Sequence, residues 1–306
     1  MNKIIKALTK PSYGCYLLLN QISPFIKNDE LYLKLRYFFA TGKKLNLKEP
    51  QTYNEKMQWL KLYDRRDEYT SMVDKYEAKL FMSNIIGEEY IIPTLGVYNS
   101  FDKIDFDKLP EQFVLKCTHN SGGTVICRNK KSFNKENARN ILNRCLKKNV
   151  YWPTREFPYK NVPPRIIAET FMDDGRAEVS GLTDYKFFCF NGNVNFLYVS
   201  QGLEHHETAE ISFFDLDGKR MPFKRLDYKP IKNFVVPAKF EEMKSLARVV
   251  AKKLNLPFIR VDLYEVKGKI YFSELTFFPC SGLIPFDPKE YDSEIGKLLI
   301  LPKDNA

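Results

Sequence analysis

Two apolar segments near the end of the chain, which predict a β-hairpin, constrain the fold more than any other feature. They cover residues 258–264 and 270–276 and are joined around Lys267-Gly268-Lys269. In both segments polar residues alternate with apolar ones, so the two kinds of side chain point to opposite faces of the ribbon. The pattern therefore predicts an antiparallel sheet with one polar and one apolar face.

The polar positions of this hairpin are Arg260, Asp262, Glu274 and Thr276. They share one face if the loop has an odd number of residues, because a two-residue turn would separate the carboxylates. Gly268 suits a three-residue loop with a glycine bulge, so we expect the odd case. Two carboxylates beside an arginine can hold Mg²⁺ and clamp a phosphate. The alternative is a ladder of surface salt bridges, worth well under about 1 kcal/mol.

A glycine-rich segment follows a second predicted strand. The strand covers residues 113–117 and includes Lys116, and Ser121-Gly122-Gly123 comes shortly after it. Glycines let backbone N–H groups approach phosphate oxygens, and the lysine adds a positive charge. The spacing matches neither the P-loop nor the dinucleotide-binding fingerprint. An ordinary turn between two strands is the alternative interpretation.

A third candidate is the segment Glu169-Thr170-Phe171-Met172, which ends a predicted strand over residues 165–171. Such a segment can offer backbone donors and acceptors to the edge of a purine, while Phe171 and Met172 pack on its faces. The alternative is an ordinary core strand with one exposed acid. We interpret His205-His206 as part of a solvent-exposed loop and assign it no role.

Apolar residues at helical spacing predict helices in the first part of the chain. From residue 112 the pattern changes and predicts mainly strands. One predicted helix covers residues 68–85 and places Lys75 and Lys79, four residues apart, on one face. Strands predominate from residue 112 onward, interrupted by helices over 135–148 and 239–254. Asn191-Gly192 predicts a tight hairpin turn. This mixture predicts an α+β protein with largely antiparallel sheets.

Composition indicates which class of partner and which cellular compartment to expect. The 306 residues carry 48 Lys and Arg against 38 Asp and Glu, a net charge of +10 that suits anionic partners. Six scattered cysteines and three histidines argue against a structural zinc site and favour reduced thiols in the cytoplasm.

No apolar run approaches the roughly 20 residues of a membrane-spanning helix. Lysines beside an N-terminal apolar stretch suggest peripheral contact with the cytoplasmic membrane as a further hypothesis.

Four blocks follow one another along the chain: Asp74-Lys75, FVLK at 113–116 with its glycine-rich loop, IAETF at 167–171, and Arg260-Val261-Asp262 with Glu274-Leu275-Thr276. In this order they resemble ATP-grasp enzymes. Three further blocks are YNEKMQW at 53–59, DYKFFCFNG at 184–192 and ELTFFP at 274–279. With these the chain most closely resembles the TupA-like ATP-grasp family of bacterial surface-polysaccharide gene clusters, over about residues 31–301.

The resemblance implies an ATP-grasp fold, in which two α+β lobes grip ATP, with a helical N-terminal extension. The extension is expected over residues 1–66. The small lobe, with the phosphate-binding lysines and the glycine-rich loop, is expected over 67–164. The large lobe, with the adenine hinge and the metal-binding hairpin, is expected over 165–306.

The resemblance also implies roles by position. The ATP-binding positions are Lys75, Lys116, Ser121, Gly122, Gly123, Glu169, Thr170, Phe171, Met172 and Asp184. The metal positions are Asp262, Glu274 and Thr276, where Thr276 replaces the usual asparagine and supplies one neutral oxygen. Arg260 and Lys116 are the implied catalytic residues, with Arg260 steadying the transferred phosphoryl group or the tetrahedral intermediate.

The activity implied is that of a cytoplasmic, Mg²⁺-dependent, ADP-forming carboxylate–amine ligase with ATP as cosubstrate. We expect it to join an amino acid or amine to an acidic capsular or cell-envelope polysaccharide, or to its sugar precursor. Two other activities stay open: a glycosyltransferase that uses a metal-bound sugar nucleotide, and an ATP-dependent kinase of a glycan hydroxyl. Nucleic-acid binding is not expected, because the lysines around residues 130–148 fit the solvated face of an ordinary amphipathic helix.

Overall fold

The structure is a computed structural model that describes residues 11–174, 181–203 and 207–303. The first part is helical, with α1 (Pro11–Gln21), α2 (Asp29–Thr41), α3 (Tyr53–Tyr63), α4 (Tyr69–Val73) and α5 (Glu77–Ile86). Among the described residues, no helix is long and apolar enough to cross a membrane. His205-His206 and the first ten residues fall outside the described part.

The single helix predicted over residues 68–85 is wrong, because the chain breaks between α4 and α5. The Asp74 carboxylate accepts hydrogen bonds from the backbone N–H groups of Tyr76 (2.8 Å) and Glu77 (3.2 Å). An aspartate in this position begins a new helix rather than continuing the old one. Lys75 therefore lies in the connection, and the expectation that it shares a helix face with Lys79 is also wrong.

The strands form two larger antiparallel sheets and a short two-stranded one. The four-stranded sheet has the order β1-β4-β2-β3, with β1 (Thr94–Tyr98), β2 (Phe113–Cys117), β3 (Val125–Cys127) and β4 (Ile166–Thr170). The helices α6 (Lys135–Leu146) and α7 (Tyr151–Thr154) connect β3 to β4. Next come β5 (Asp184–Phe190), β6 (Asn193–Gln201), β7 (Glu210–Phe214), β8 (Lys224–Arg225) and α8 (Phe240–Leu254). The chain continues with β9 (Phe258–Val266), β10 (Lys269–Thr276), β11 (Phe286–Asp287) and α9 (Tyr291–Leu298).

The five-stranded sheet has the order β10-β9-β5-β6-β7, and β8 pairs with β11. Every pairing between these strands, within the described ranges, is antiparallel. The predicted α+β class with antiparallel sheets is therefore confirmed. The expected boundaries at 66/67 and 164/165 stay predictions.

The turn between β9 and β10 has two residues, so the expected three-residue loop is wrong. Val266 pairs with Lys269, and Lys267 and Gly268 between them have φ angles of 52° and 76°. Two consecutive left-handed residues are typical of the tight turn that matches the natural twist of a hairpin. Such a turn alone would put the two carboxylates of the hairpin on opposite faces.

A β-bulge at Ser273 corrects this register. Beyond the bulge Asp262 pairs with Glu274 and Arg260 with Thr276, because β10 contains one extra residue there. The polar side chains expected on one face therefore do share it. The odd residue lies in the strand rather than in the turn.

The N-terminal helices share a core with the five-stranded sheet. The ring of Tyr53 in α3 lies 6.2 Å from Phe190, 5.6 Å from Phe258 and 5.9 Å from Phe286, measured between centroids. A second, smaller core lies on the four-stranded sheet, where α6 buries Ala138, Leu142 and Cys145. The N-terminal helices are thus an integral part of the core around the larger sheet.

Arg155 ties the first two helices to the segment that follows α6. Its side chain is fully buried, and its Nε lies 2.7 Å from the Oδ1 of Asp29 at the start of α2. Its Nη2 donates to the carbonyl oxygens of Ser23 (2.9 Å) and Ile26 (2.5 Å), and its guanidinium lies 4.2 Å from the ring centroid of Tyr32. The arginine thereby neutralises a mostly buried acid and satisfies the backbone between α1 and α2.

We expect Arg155→Ala to lower the free energy of unfolding by about 3 kcal/mol, because it removes one partner of a buried ion pair and strands several acceptors. Urea denaturation measures this loss. Lys34→Ala is the control, since Lys34 and Glu30 form an exposed pair at 2.5 Å that should contribute less than about 1 kcal/mol. Equal, small losses in both variants would contradict the structural role of Arg155.

Candidate functional site

A cavity of about 390 Å³ lies between the four-stranded and five-stranded sheets. Side chains from β2, β3 and β4 form one wall, and side chains from β5, β9 and β10 form the other. The predicted site residues that line it are Lys75, Lys116, Ser121, Gly122, Glu169, Thr170, Phe171, Met172, Asp184 and Glu274. Gly123, Arg260, Asp262 and Thr276 do not line this cavity. The last three contact Glu274 or one another behind its wall.

A large part of the cavity lining is apolar. Besides Phe171 and Met172, its lining includes Ile92, Val114, Ile126, Leu182, Leu203 and Tyr264, none of which the sequence singled out as site residues. The backbone N–H of Thr170 donates to the carbonyl of Pro93 at 3.1 Å. That donor is already used within the fold, so the N–H of Thr170 is not available to the edge of a ligand.

Glu169 is buried between two lysines rather than exposed. It is 4% exposed, its Oε2 lies 2.8 Å from the Nζ of Lys116, and its Oε1 contacts the Nζ of Lys79. Burial alone would raise the pKa of Glu169, but Lys116 and Lys79 outweigh it and lower the pKa to about 2. Lys79 also donates to the carbonyl of Ile92 at 2.8 Å. We missed Lys79 as a site residue because helical spacing gave no sign of its buried partner.

The glycine-rich loop is anchored through Asn120. The backbone carbonyl of Asn120 accepts a hydrogen bond from the Nζ of Lys75 at 2.8 Å. The side-chain Oδ1 of Asn120 accepts from the N–H of Gly122 (3.1 Å) and from the thiol of Cys145 (3.0 Å). Gly123 has a φ of 72°, and a Cβ there would collide with the Cys145 sulfur, so only glycine fits. A Cβ on Gly122 would meet nothing within 4 Å. The loop thus packs on Cys145 at one point and is open at the neighbouring residue.

A layer of buried charges forms part of the cavity wall and continues behind it. Asp262 is fully buried, and Arg260 binds both of its oxygens, at 2.7 Å and 2.6 Å. The Nζ of Lys186 bridges Asp262 and Asp184, at 2.9 Å from each. The opposing carboxylates hold the pKa of Lys186 well above its usual value, although burial acts in the other direction. Lys186 was missed, although its alternation with Asp184 in one strand places both on the same face.

Glu274 lines the cavity together with Asp184 and Lys186 and is the most exposed of the three, with 38% of its side chain exposed. Its Oε1 accepts from the hydroxyl of Thr276 (3.2 Å) and lies 3.4 Å from the Nη2 of Arg260. Burial alone would raise the pKa of Glu274, but Lys75, Lys186 and Arg260 outweigh it and lower the pKa to about 2. The carboxylate is therefore ionised and held in position at neutral pH.

The carboxylate of Glu274, which lines the cavity, fits a Mg²⁺ ion that arrives with a phosphate ligand. Mg²⁺ keeps several waters and binds one or two carboxylates together with substrate phosphates. Asp262 and Glu274 face each other across β9 and β10, although Arg260 and Lys186 already engage both oxygens of Asp262. Within the described ranges, no group of three or more His, Cys, Asp or Glu side chains could hold a metal by itself. The hydroxyl of Thr276 contacts Glu274 and accepts from Arg260 at 2.9 Å, so it positions the carboxylate.

Comparison with known proteins gives one family and several structures. Among solved structures, the chain is similar to the D-alanine-D-alanine ligase from Helicobacter pylori, with 18% identity, a TM-score of 0.42, and coverage of 83% of this chain and 70% of that one. It is similar to the L-amino acid ligase from Bacillus licheniformis, with 13% identity, a TM-score of 0.44, and coverage of 85% and 58%. A third is the ATP-grasp ligase PsnB in complex with a precursor variant, Mg and ADP, with 11% identity, a TM-score of 0.36, and coverage of 69% and 50%.

The chain therefore spans between 50% and 70% of the length of these three structures. No curated protein matches it. The sequence model of the family described as TupA-like ATPgrasp matches residues 55–300. That match covers most of the chain and confirms the resemblance inferred from its sequence blocks. The chain belongs to the TupA-like ATP-grasp family.

Proposed function

We propose that this protein is an ATP-dependent ligase that joins a carboxylate to an amine through an acyl phosphate and releases ADP. One observation carries the proposal: a single cavity is lined by apolar side chains, by three lysines and by three acids, of which Glu274 is held ionised with a pKa of about 2. An apolar slot beside several cations and a hard oxygen ligand suits a nucleoside triphosphate with its metal. Membership of an ATP-grasp family supports adenine as the base.

Under this proposal the adenine packs between apolar side chains from both sheets, among them Val114 and Ile126 from the four-stranded sheet and Tyr264 from the five-stranded sheet. The phosphates extend toward Lys75, Lys116 and Lys186, and the glycine-rich loop covers them. Lys116 is neutralised by Glu169 in this structure, at 2.8 Å. A phosphate oxygen would compete with that carboxylate for the lysine, so the pair keeps the cation in place until the nucleotide arrives.

The first chemical step is attack by a substrate carboxylate oxygen on the γ-phosphorus of ATP. A new P–O bond forms, the bond to the bridging oxygen breaks, and ADP leaves with that oxygen. Lys75, Lys116 and Lys186 spread the charge that develops on the phosphoryl oxygens. Mg²⁺ would be held by Glu274 and the phosphates, with Asp262 as a further ligand once it exchanges its contact with Lys186, and would neutralise further charge there.

In the second step an amine attacks the carbonyl of the acyl phosphate, phosphate leaves, the nitrogen loses a proton, and an amide results. The tetrahedral intermediate carries an oxyanion that needs an oriented cation. Arg260 is buried and fixed by Asp262, and its Nη1 donates to the Tyr198 hydroxyl at 3.0 Å. Its Nη2 contacts Asp262, Glu274 and Thr276, so under this proposal it would reach the oxyanion by exchanging its contact with Glu274.

The assignment of the two substrates and of the compartment rests on the family resemblance and on the net charge of the chain. We propose that the acid is a uronic-acid glycan or its sugar precursor, that the amine is an amino acid or a related amine, and that the reaction takes place in the cytoplasm. The net charge of +10 is compatible with an acidic glycan. A kinase of a glycan hydroxyl would use the same nucleotide cavity, but it would release ADP without an amine.

The nucleotide assignment is tested by thermal unfolding. We expect Mg²⁺ with a non-hydrolysable ATP analogue to raise the melting temperature by roughly 4 °C when the analogue is about a hundredfold above its Kd. UDP and UDP-sugars should give no shift. Lys116→Ala should lose most of the shift, whereas Lys108→Ala, at a lysine whose side chain is 85% exposed, should keep it. Stabilisation by UDP-sugars alone would favour the glycosyltransferase.

The catalytic assignment is tested with Glu274→Gln, which keeps the size of the side chain and removes its charge. We expect ADP release with uronic-acid glycans and amines to fall by about 100-fold or more, with the fold intact. Glu265→Gln, at the other end of the same hairpin, is the matched control and should keep its activity. ADP release that is unchanged in Glu274→Gln would remove this residue from the mechanism.

The pairing of Glu169 predicts a pH dependence of stability. Its pKa is about 2 in the folded protein against an ordinary value of 4.5, so its contribution is complete above about pH 5 and is lost as the pH falls toward 2. That contribution is roughly 3 kcal/mol. Glu169→Gln should lose it at pH 7 and show a flatter dependence of unfolding free energy on pH. Urea denaturation between pH 7 and pH 3 measures both, with exposed Glu49→Gln expected to follow the wild type. An unchanged dependence in Glu169→Gln would contradict the ion pair.

A further inference from the structure

The helix α1 and the turn after it expose a continuous row of apolar side chains. Leu18 is 58% exposed, Ile22 41% and Phe25 84%. Steps of four and then three residues place these side chains on one side of the segment. The side toward the core is formed by Leu19 and Ser23, which are 5% and 1% exposed. The row therefore faces away from the core that the N-terminal helices share with the larger sheet.

Single exposed apolar side chains are normal, but a contiguous row marks an interaction surface. Residues 11–26 contain no charged residue, so nothing within the segment offsets its apolar face. Among the described residues, no helix is long and apolar enough to cross a membrane. A helix with an apolar outer face can instead lie in the membrane interface.

The charges that flank this segment in the sequence are all positive. The first 28 residues contain Lys3, Lys6, Lys10 and Lys27 and no acidic residue. The first acid, Asp29, is paired with Arg65 and Arg155 and is therefore already neutralised. An uncharged apolar stretch between lysines is complementary to an anionic lipid surface, where each lysine adds electrostatic attraction. An apolar protein partner would not require lysines on both sides of the stretch.

We propose that the surface formed by Leu18, Ile22, Phe25 and Lys27 binds the interface of an anionic membrane, with α1 lying in the membrane plane. The apolar row enters the boundary between headgroups and acyl chains, and the flanking lysines contact the lipid phosphates. The inference is independent of the chemistry in the nucleotide cavity.

The test is sedimentation of the full chain with phosphatidylcholine vesicles that contain or lack phosphatidylglycerol. We expect at least about tenfold stronger binding to the anionic vesicles, weakening as salt is raised. The double variant Leu18→Ser with Phe25→Ser should lose about tenfold or more of this binding, because it removes the apolar anchor. Lys27→Gln should lose roughly fivefold.

The matched control is Val235→Ser, because Val235 is 81% exposed and lies far from α1 in the sequence. This variant should bind vesicles as the wild type does, and all variants should keep the melting temperature of the wild type. Equal binding to neutral and anionic vesicles, no binding to either, or full binding by the double variant would each overturn the proposal. A dimer in solution that the double variant abolishes, without vesicle binding, would assign the surface to a second copy instead.

Discussion

The buried pair of Arg260 and Asp262 is the interaction on which the arrangement of the site depends. Removing two charges from water is costly, and the cost is offset only if the partners meet in good geometry and their remaining hydrogen bonds are made. Arg260 meets both oxygens of Asp262, and Lys186 from the neighbouring strand completes the shell. A slip of one residue between β5 and β9 would move Lys186 to the other face and leave Asp262 short of a partner. The charge pair therefore fixes the register of the strands that present Glu274 to the cavity.

The same reasoning explains why the fold was easier to predict than the details of the site. Alternation in the strands and the Asn191-Gly192 turn were enough for the antiparallel sheets, because both depend on local sequence. The bulge at Ser273 was not predictable, because it follows from the buried pairing across two strands. The tight turn was also hard to predict, because its first residue, Lys267, has a positive φ where asparagine or glycine is usual. A lysine within a strand is normally taken as solvent-exposed, so Lys186 escaped notice until its acid partner, 76 residues away, was seen.

Charge balance in the cavity connects the fold to the proposed activity. Among the described residues, three lysines (Lys75, Lys116, Lys186) and three acids (Glu169, Asp184, Glu274) line its wall. The balance allows the site to be folded without a ligand, because no uncompensated group of like charges has to be held together. It also means that a bare triphosphate would meet the negative charge of Glu274 as well as the lysines. A divalent cation between Glu274 and the phosphates would turn that repulsion into attraction, so the proposed substrate is the metal–nucleotide complex rather than the free nucleotide.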